Sequence, residues 1–371
     1  MSATTAAERN PFLRYRDRLD SYEAVRSGEL SDQQFVDIVE GLDAAVAEIE
    51  GHGFVETPVI SGAPIVEAAG LEVDLWIKAE PTNVGGSHKA RHLFGVALAM
   101  LVDEALGAPQ VDRFAIASCG NAALGAGVVA AAMQRRLDVF VPEWADEAVT
   151  ARLDDLGAAV NRCSRRPGEA GDPAFLRFRE ATNSGATAFA VQGTESSQTF
   201  DGGRTLGWEL ADQLDDIAAL YVQVGGGALG TSAGMALPEV KLFPVQTEGC
   251  APLARAWDRL APAFDFTAAA SHPDDFMWAW EDEPTSAATG ILDDVTYDWL
   301  PLLTLTHRSG GRPIVVPEKQ ILRAHELGSL IDTPAPICVT GTSGLAGLLA
   351  APETAPTSGK VVVLFTGVHR G

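Results

Sequence analysis

Residues 75–105 read LWIKAEPTNVGGSHKARHLFGVALAMLVDEA. LWIKAE (75–80) is a short apolar run of strand length, and ARHLFGVALAMLVDEAL (90–106) repeats its apolar residues at helical spacing. A loop of small residues, Asn83 to Arg91, joins them. Strand, loop and helix in that order form the repeating unit of a parallel sheet. The unit recurs downstream. RFAIAS (113–118) leads into NAALGAGVVAAAMQRR (121–136), and DVFVPE (138–143) into EAVTARLDDLG (147–157). AAVNRCS (158–164) is paired with PAFLRFREATNSG (173–185), and TAFAVQG (187–193) precedes GRTLGWELADQL (203–214). ALYVQVGGG (219–227) precedes ALGTSAGMALP (228–238), while KLFPVQTEG (241–249) and KVVVLFTG (360–367) read as further buried strands. This exceeds what one ordinary sheet holds. The expected fold class is α/β with two lobes, each a mainly parallel sheet flanked by helices, and a cleft between them. The first fifty residues read as helices, DRLDSYEAVRSG (17–28) and then SDQQFVDIVEGLDAAVAEIE (31–50), with Ser31 as N-cap.

Composition limits the function. The net charge of −23 argues against a nucleic-acid partner, which needs a clustered basic face. Cys119, Cys163, Cys250 and Cys338 show no CxxC spacing, so neither a zinc site nor a disulfide framework is expected. There is no apolar run of membrane-spanning length and no secretory pattern at the N-terminus, and the expectation is a soluble cytoplasmic protein.

In parallel sheets ligands sit beyond the carboxyl ends of the strands, and the chemistry-bearing residues fall in such loops. Lys89 opens a helix, where the positive end of the dipole disfavours an ammonium and helps supply a neutral amine for imine formation; it also reads as an ordinary helix-start lysine. Ser118-Cys119-Gly120-Asn121-Ala122 exposes helix N-terminal amides, a seat for a carboxylate or simply a cap. Gly225-Gly226-Gly227-Ala228-Leu229-Gly230-Thr231 lets backbone amides approach a phosphate, but it is no P-loop and lacks the acidic partner of a dinucleotide fingerprint. Thr342-Ser343, ahead of GLAGLLA, offers hydroxyls for a ring nitrogen or a helix cap.

The order of these four loops resembles the fold-type II pyridoxal-phosphate (PLP) enzymes: serine and threonine dehydratases, threonine synthase, cysteine synthase and the tryptophan synthase β subunit. Gly86, Ser87, Lys89 and Arg91 match a GS-x-K-x-R segment, and Ser118, Gly120 and Asn121 match an S-x-GN substrate loop. Gly225, Gly226, Gly227, Gly230 and Thr231 match the phosphate bowl, Ser343-Gly344 a late S-G-A motif, and Asp201 through Glu209 a (D/E)GxxT…E stretch. The likeness runs from about Thr57 to Gly371. It implies a tryptophan synthase β-like architecture with the cofactor in the cleft. The implied division is 1–88 as N-terminal helices and the first part of the large domain, 89–195 as the smaller substrate domain, and 196–371 as the rest of the large domain.

The resemblance also implies roles. Lys89 would carry pyridoxal 5'-phosphate as a Schiff base and then remove the substrate's α-proton, after formation of an external aldimine. Asn121 would bond the phenolic oxygen, with His88 also at the cofactor. The glycine turn from Gly225 through Ala228, Leu229 and Gly230 to Thr231 would hold the phosphate, and Thr342 and Ser343 the ring nitrogen. Ser87, Ser118, Cys119, Gly120, Asn121 and Ala122 would contact the substrate. The implied reaction is β-elimination from a small hydroxy or O-activated amino acid to an aminoacrylate, ending as an ammonia-lyase or in β-replacement. A threonine-synthase-like β,γ-replacement on a phosphorylated homoserine is the near alternative, a nucleotide-binding oxidoreductase the distant one, and a PLP-fold regulator without catalysis the third. Homodimerisation is typical of the family. His88 stands where dehydratases carry an aromatic, and Cys119 where serine racemases carry a second serine. No metal is expected, although Glu248 matches a family glutamate that binds a cation; Ala254 stands where its acidic partner would be.

Overall fold

The computed structural model describes residues 9–169 and 171–370. Ten strands occur among them: β1 (Val59–Ser61), β2 (Asp74–Ala79), β3 (Arg113–Ala117), β4 (Arg136–Pro142), β5 (Ala159–Cys163), β6 (Thr187–Ala188), β7 (Ile217–Gln223), β8 (Lys241–Thr247), β9 (Ile314–Val316) and β10 (Lys360–Phe365). They form two sheets, ordered β1-β2-β10-β7-β8-β9 and β5-β4-β3-β6. Every pairing is parallel except β1 with β2. The expected class, α/β with mainly parallel sheets flanked by helices, is what the chain adopts. The chain separates into two compact units, Met1–Glu56 with Asn83–Thr205 and Thr57–Thr82 with Leu206–Gly371.

The first unit holds the four-stranded sheet. The helix Asp32–Glu50 starts at Ser31 with a capping box, in which Ser31 and Gln34 satisfy each other's backbone amides, and ends at Gly51 in the left-handed region. The expected helix over 17–28 is instead broken into 3₁₀ turns, Arg16–Arg18 and Asp20–Tyr22, and a short helix, Glu23–Arg26. The cause is a distant carboxylate: Asp201 accepts the backbone amides of Asp20 at 3.0 Å and Ser21 at 3.2 Å. Arg204 pairs with both Asp201 and Asp20. Burial raises the Asp201 pKa, and the Asp20 amide and Arg204 work against that rise. Phe12, Phe54 and Phe94 stack edge-on and tilted at 4.3–5.2 Å between centroids. These contacts group the N-terminal helices with the smaller sheet, whereas the sequence reading set them with the larger. TAFAVQG keeps only two residues as strand, Thr187–Ala188.

The second unit holds the six-stranded sheet. Along β10, Val361, Val363 and Phe365 enter one buried cluster, and Val362 and Leu364 enter another. The side chains alternate with the pleat, and both faces are covered, which explains why the strand reads as a continuous apolar run. β2 carries a polar exception. Lys78 Nζ lies 2.6 Å from Glu209 Oε2 with both side chains at 0% exposure, and it also donates to the Thr57 carbonyl and to Gln213 Oε1, each at 2.8 Å. Thr57 Oγ1 donates to Glu80 Oε1 at 2.5 Å. Three tryptophans of this unit are packed: Trp257 edge-on to Phe264 at 4.8 Å, Trp299 stacked on Phe276 at 6.1 Å, and Trp278 under Arg255 at 3.9 Å.

Candidate active site

Lys89 is the first residue of the helix Lys89–Ala105, half-buried, and its amide donates to Ser87 Oγ at 3.3 Å. Two glycines make the approach: Gly85 and Gly86 both lie in the left-handed region, at φ 65° and 69°. Ser87 is buried, as is His88, whose ring meets His92 edge-on at 5.7 Å.

Ser118 to Ala122 form a half-buried strip beyond β3. Ser118 donates its amide to Phe140 O at 3.2 Å, and its hydroxyl accepts the Gly120 amide at 3.4 Å. Helix Asn121–Ala132 opens from Gly120 with no side-chain cap. The amides of its first turn therefore lack intrahelical acceptors and suit an anion. The turn carrying Lys89 lies alongside this one. A Cβ on Gly125 would stand 3.2 Å from the Ala90 amide and 3.3 Å from Ala90 Cα, so glycine at 125 is what allows this contact. Cys119 lies within the same strip.

Asp201–Thr205 buttress the lysine helix from behind. Arg91 Nη1 donates to Thr205 Oγ1 at 3.1 Å, and His92 Nδ1 is 2.7 Å from Thr199 O. A Cβ on Gly202 would overlap the Arg91 carbonyl, so this motif serves backbone crossing.

In the second unit Gly227, at φ 103°, turns the chain from β7 into the helix Ala228–Ala236, again without a side-chain cap. Segment 291–299 crosses this turn. Asp298 N donates to Gly226 O at 2.8 Å, and the Tyr297 ring and Asp293 carboxylate lie against Gly226 and Gly225. The glycines are thus needed partly by the protein's own chain. Ala228, Leu229 and Gly230 are buried, and Thr231 Oγ1 is a fully buried hydroxyl with no hydrogen-bond partner.

Thr342 Oγ1 and Ser343 Oγ each donate to Val339 O at 3.0 Å, so both hydroxyls are turned back onto their own helix. Thr366, to which the sequence reading gave no role, offers another hydroxyl at a strand end. Thr366 directly follows β10, the strand that lies between β2 and β7, and its hydroxyl accepts from Gln223 Nε2 at 2.5 Å. The available signal was a hydroxyl–glycine pair, Thr366-Gly367, at the carboxyl end of the last strand. Glu248 Oε1 accepts the Glu318 amide at 3.0 Å and caps that helix. Among the described residues no group of three or more His, Cys, Asp or Glu is placed to hold a metal ion, and no helix is long and apolar enough to cross a membrane.

Residues 56–367 match the family model of the pyridoxal-phosphate dependent enzymes. The chain belongs to that family. Its cofactor is pyridoxal phosphate. The chain is 30% identical over 179 residues to the L-threonine ammonia-lyase of Thermotoga maritima, a match spanning 47% of this chain and 42% of that protein. It is 25% identical over 301 residues to the phenylserine dehydratase of Ralstonia pickettii, spanning 80% and 83%. Maize serine racemase superposes with a TM-score of 0.68 at 19% identity, over 90% of this chain and 93% of the other. Membership in this family removes the nucleotide-binding oxidoreductase from consideration.

Several observations in the second unit fit the cofactor. An uncapped helix start and the partnerless buried hydroxyl of Thr231 are what a phosphate would satisfy. The Asp293 carboxylate against Gly225 is a group there that opposes a dianion. Thr231→Val supplies a test. The isosteric change removes an unsatisfied buried hydroxyl, so the cofactor-free protein is expected to be at least as stable as wild type. Loss of a hydrogen bond to a charged group, worth about 1.5–3 kcal/mol, is expected to weaken cofactor binding roughly 10- to 100-fold. Equilibrium titration with pyridoxal phosphate and thermal melts of the apo-protein measure both; unchanged affinity would remove Thr231 from the seat.

Proposed function

We propose that this chain is an ammonia-lyase of the serine/threonine dehydratase type, acting on a small β-hydroxy amino acid. The observation that carries this reading is the side-by-side placement of the Lys89 turn and the uncapped Ser118–Ala122 turn through Gly125. A reactive amine and a carboxylate seat are what an amino-acid substrate needs. The two relatives named above, an ammonia-lyase and a dehydratase, support the reaction class.

Pyridoxal phosphate, when bound, supplies an electron sink that makes the α-proton of an attached amino acid acidic. Lys89 would hold the cofactor and would take that proton on its Nζ. The N-terminal position of Lys89 disfavours its ammonium form and so favours the basic amine. The Ser118 hydroxyl and the amides from Gly120 to Ala122 hold the carboxylate, which directs the α-carbon toward Lys89. Asn121, and His88 beside Lys89, would contact the cofactor ring. Thr231 and the amides of Gly225 to Gly230 would hold the phosphate. Thr366 would take the ring nitrogen, since Thr342 and Ser343 already donate to Val339. A hydroxyl donor there would leave that nitrogen neutral. The net change is loss of water followed by hydrolysis, giving a 2-oxo acid and ammonia.

The test is to incubate the holoenzyme with L-serine, L-threonine and L-phenylserine in turn, measuring 2-oxo acid and ammonia. One of the three is expected to yield both in equal amounts. Turnover of O-acetylserine with a thiol, and none of the three hydroxy amino acids, would replace the lyase with a β-replacement synthase. A homodimer in the cytoplasm, with no nucleic-acid or membrane partner, belongs to the same proposal, and light scattering of the holoenzyme measures its mass.

A further inference from the structure

We propose that Gln223 is a positioning residue: its side-chain amide fixes the direction in which the Thr366 hydroxyl presents its hydrogen to the cofactor's ring nitrogen. The proposal rests on the assignment of Thr366 to that nitrogen.

Gln223 is the last residue of β7 and is 5% exposed. Its Nε2 lies 2.5 Å from Thr366 Oγ1, 3.1 Å from Gly341 O and 3.3 Å from Leu364 O. The two carbonyls can only accept, so the amide must turn its nitrogen toward them, and its orientation follows from chemistry alone. An amide nitrogen cannot accept a hydrogen bond. The contact with Thr366 is therefore donated by Gln223, and the hydroxyl hydrogen of Thr366 points away from it. A hydroxyl that accepts from one side becomes a firmer donor on the other. Gln223 Oε1, by contrast, is buried and has no partner. A Cβ on Gly344 would come within 2.8 Å of that oxygen, so glycine at 344 leaves room for this arrangement. The fold keeps an unsatisfied buried acceptor in order to keep the donor side in place, as expected of a group selected for direction rather than for stability.

The consequence concerns the charge of the bound cofactor. With Thr366 held as a donor, the ring nitrogen is met by O–H and stays neutral. If Thr366 were turned round, the nitrogen would meet lone pairs and be favoured as N–H⁺. Gln223→Glu, as the carboxylate, performs that reversal. As a carboxylate, the oxygen that takes the place of Nε2 can only accept from Thr366.

The experiment reconstitutes wild type, Gln223→Glu, Gln223→Met, Thr366→Val and the double variant Gln223→Glu/Thr366→Val with ¹⁵N-labelled pyridoxal phosphate, and reads the ¹⁵N resonance of the ring nitrogen. Wild type is expected at the neutral-pyridine position. Gln223→Glu is expected to move the resonance upfield toward pyridinium, and Gln223→Met to move it part of the way. The double variant is expected to match Thr366→Val alone. If Gln223→Glu fails to fold, Gln223→Met carries the test. Wild-type resonances in both Gln223 variants, with a shift in Thr366→Val, would overturn the role of Gln223 while leaving Thr366 at the nitrogen. No shift in Thr366→Val would remove Thr366 from that place, and the role of Gln223 with it.

Discussion

Lys89→Ala is expected to abolish covalent attachment of pyridoxal phosphate and to cut turnover by at least the 10²–10⁴-fold that a positioned acid–base group typically supplies. The loss should come without loss of fold. Lys89 is half-buried at the first position of its helix, alanine is the better helix former, and removing a cation from the positive end of the dipole is favourable. The apo-variant should therefore melt at or slightly above the wild-type temperature. Two measurements decide. The visible absorption of the reconstituted protein should vanish on dialysis in Lys89→Ala and persist in wild type, and borohydride should fix the cofactor to wild type only. A dialysis-resistant band in the variant would transfer the attachment to another residue. Lys89→Arg, which keeps the charge but forms no imine, should behave like alanine.

Lys78→Met is expected to have the largest effect on stability, a loss of about 3–5 kcal/mol. The ammonium it removes sits 2.6 Å from Glu209 with both side chains fully buried, and also serves the Thr57 carbonyl and Gln213. Methionine refills the volume of the apolar stem, so the effect is electrostatic: the Glu209 carboxylate keeps its hydrogen bonds from Thr57 but loses its cation in the core. The double variant Lys78→Met/Glu209→Leu should recover much of the loss, because replacing a buried ion pair by apolar groups of similar volume is often neutral or better. Urea unfolding of wild type, Lys78→Met, Glu209→Leu and the double variant forms the cycle. Equal destabilisation in the single and double variants would mean that packing, and not charge, is the cause.

The turns that make up the candidate site were visible in the chain as text because they are local. The turn around Gly85 and Gly86, the lysine at a helix start, the uncapped turn at Gly120 and the left-handed Gly227 are each made by a few consecutive residues, and each leaves a signature of small residues after an apolar run. Arg91 and Asp201–Thr205 were equally visible as a motif but not as a purpose. Only the structure shows that Gly202 lies against the Arg91 carbonyl and that Asp201 breaks up residues 16–26. Thr342 and Ser343 show the limit of motif reading. Helical spacing puts Val339 O within reach of both hydroxyls, and that local bond takes the donors intended for the cofactor.

The sequence alone determined what depends on periodicity and on short-range chemistry: an α/β chain, parallel strands buried on both faces, loops at their carboxyl ends, and a lysine among them. These follow because strand and helix periods, and the backbone freedom of glycine, are written residue by residue. The tertiary structure decided which distant groups meet. It set Gly125 against Ala90, sealed Lys78 with Glu209, grouped the N-terminal helices with the smaller sheet, and brought Gln223 from β7 to Thr366 at the end of β10. Gln223 and Thr366, 143 positions apart, come into hydrogen-bond contact only because parallel strands far apart in sequence lie side by side, and no local pattern encodes which pair of strands that will be.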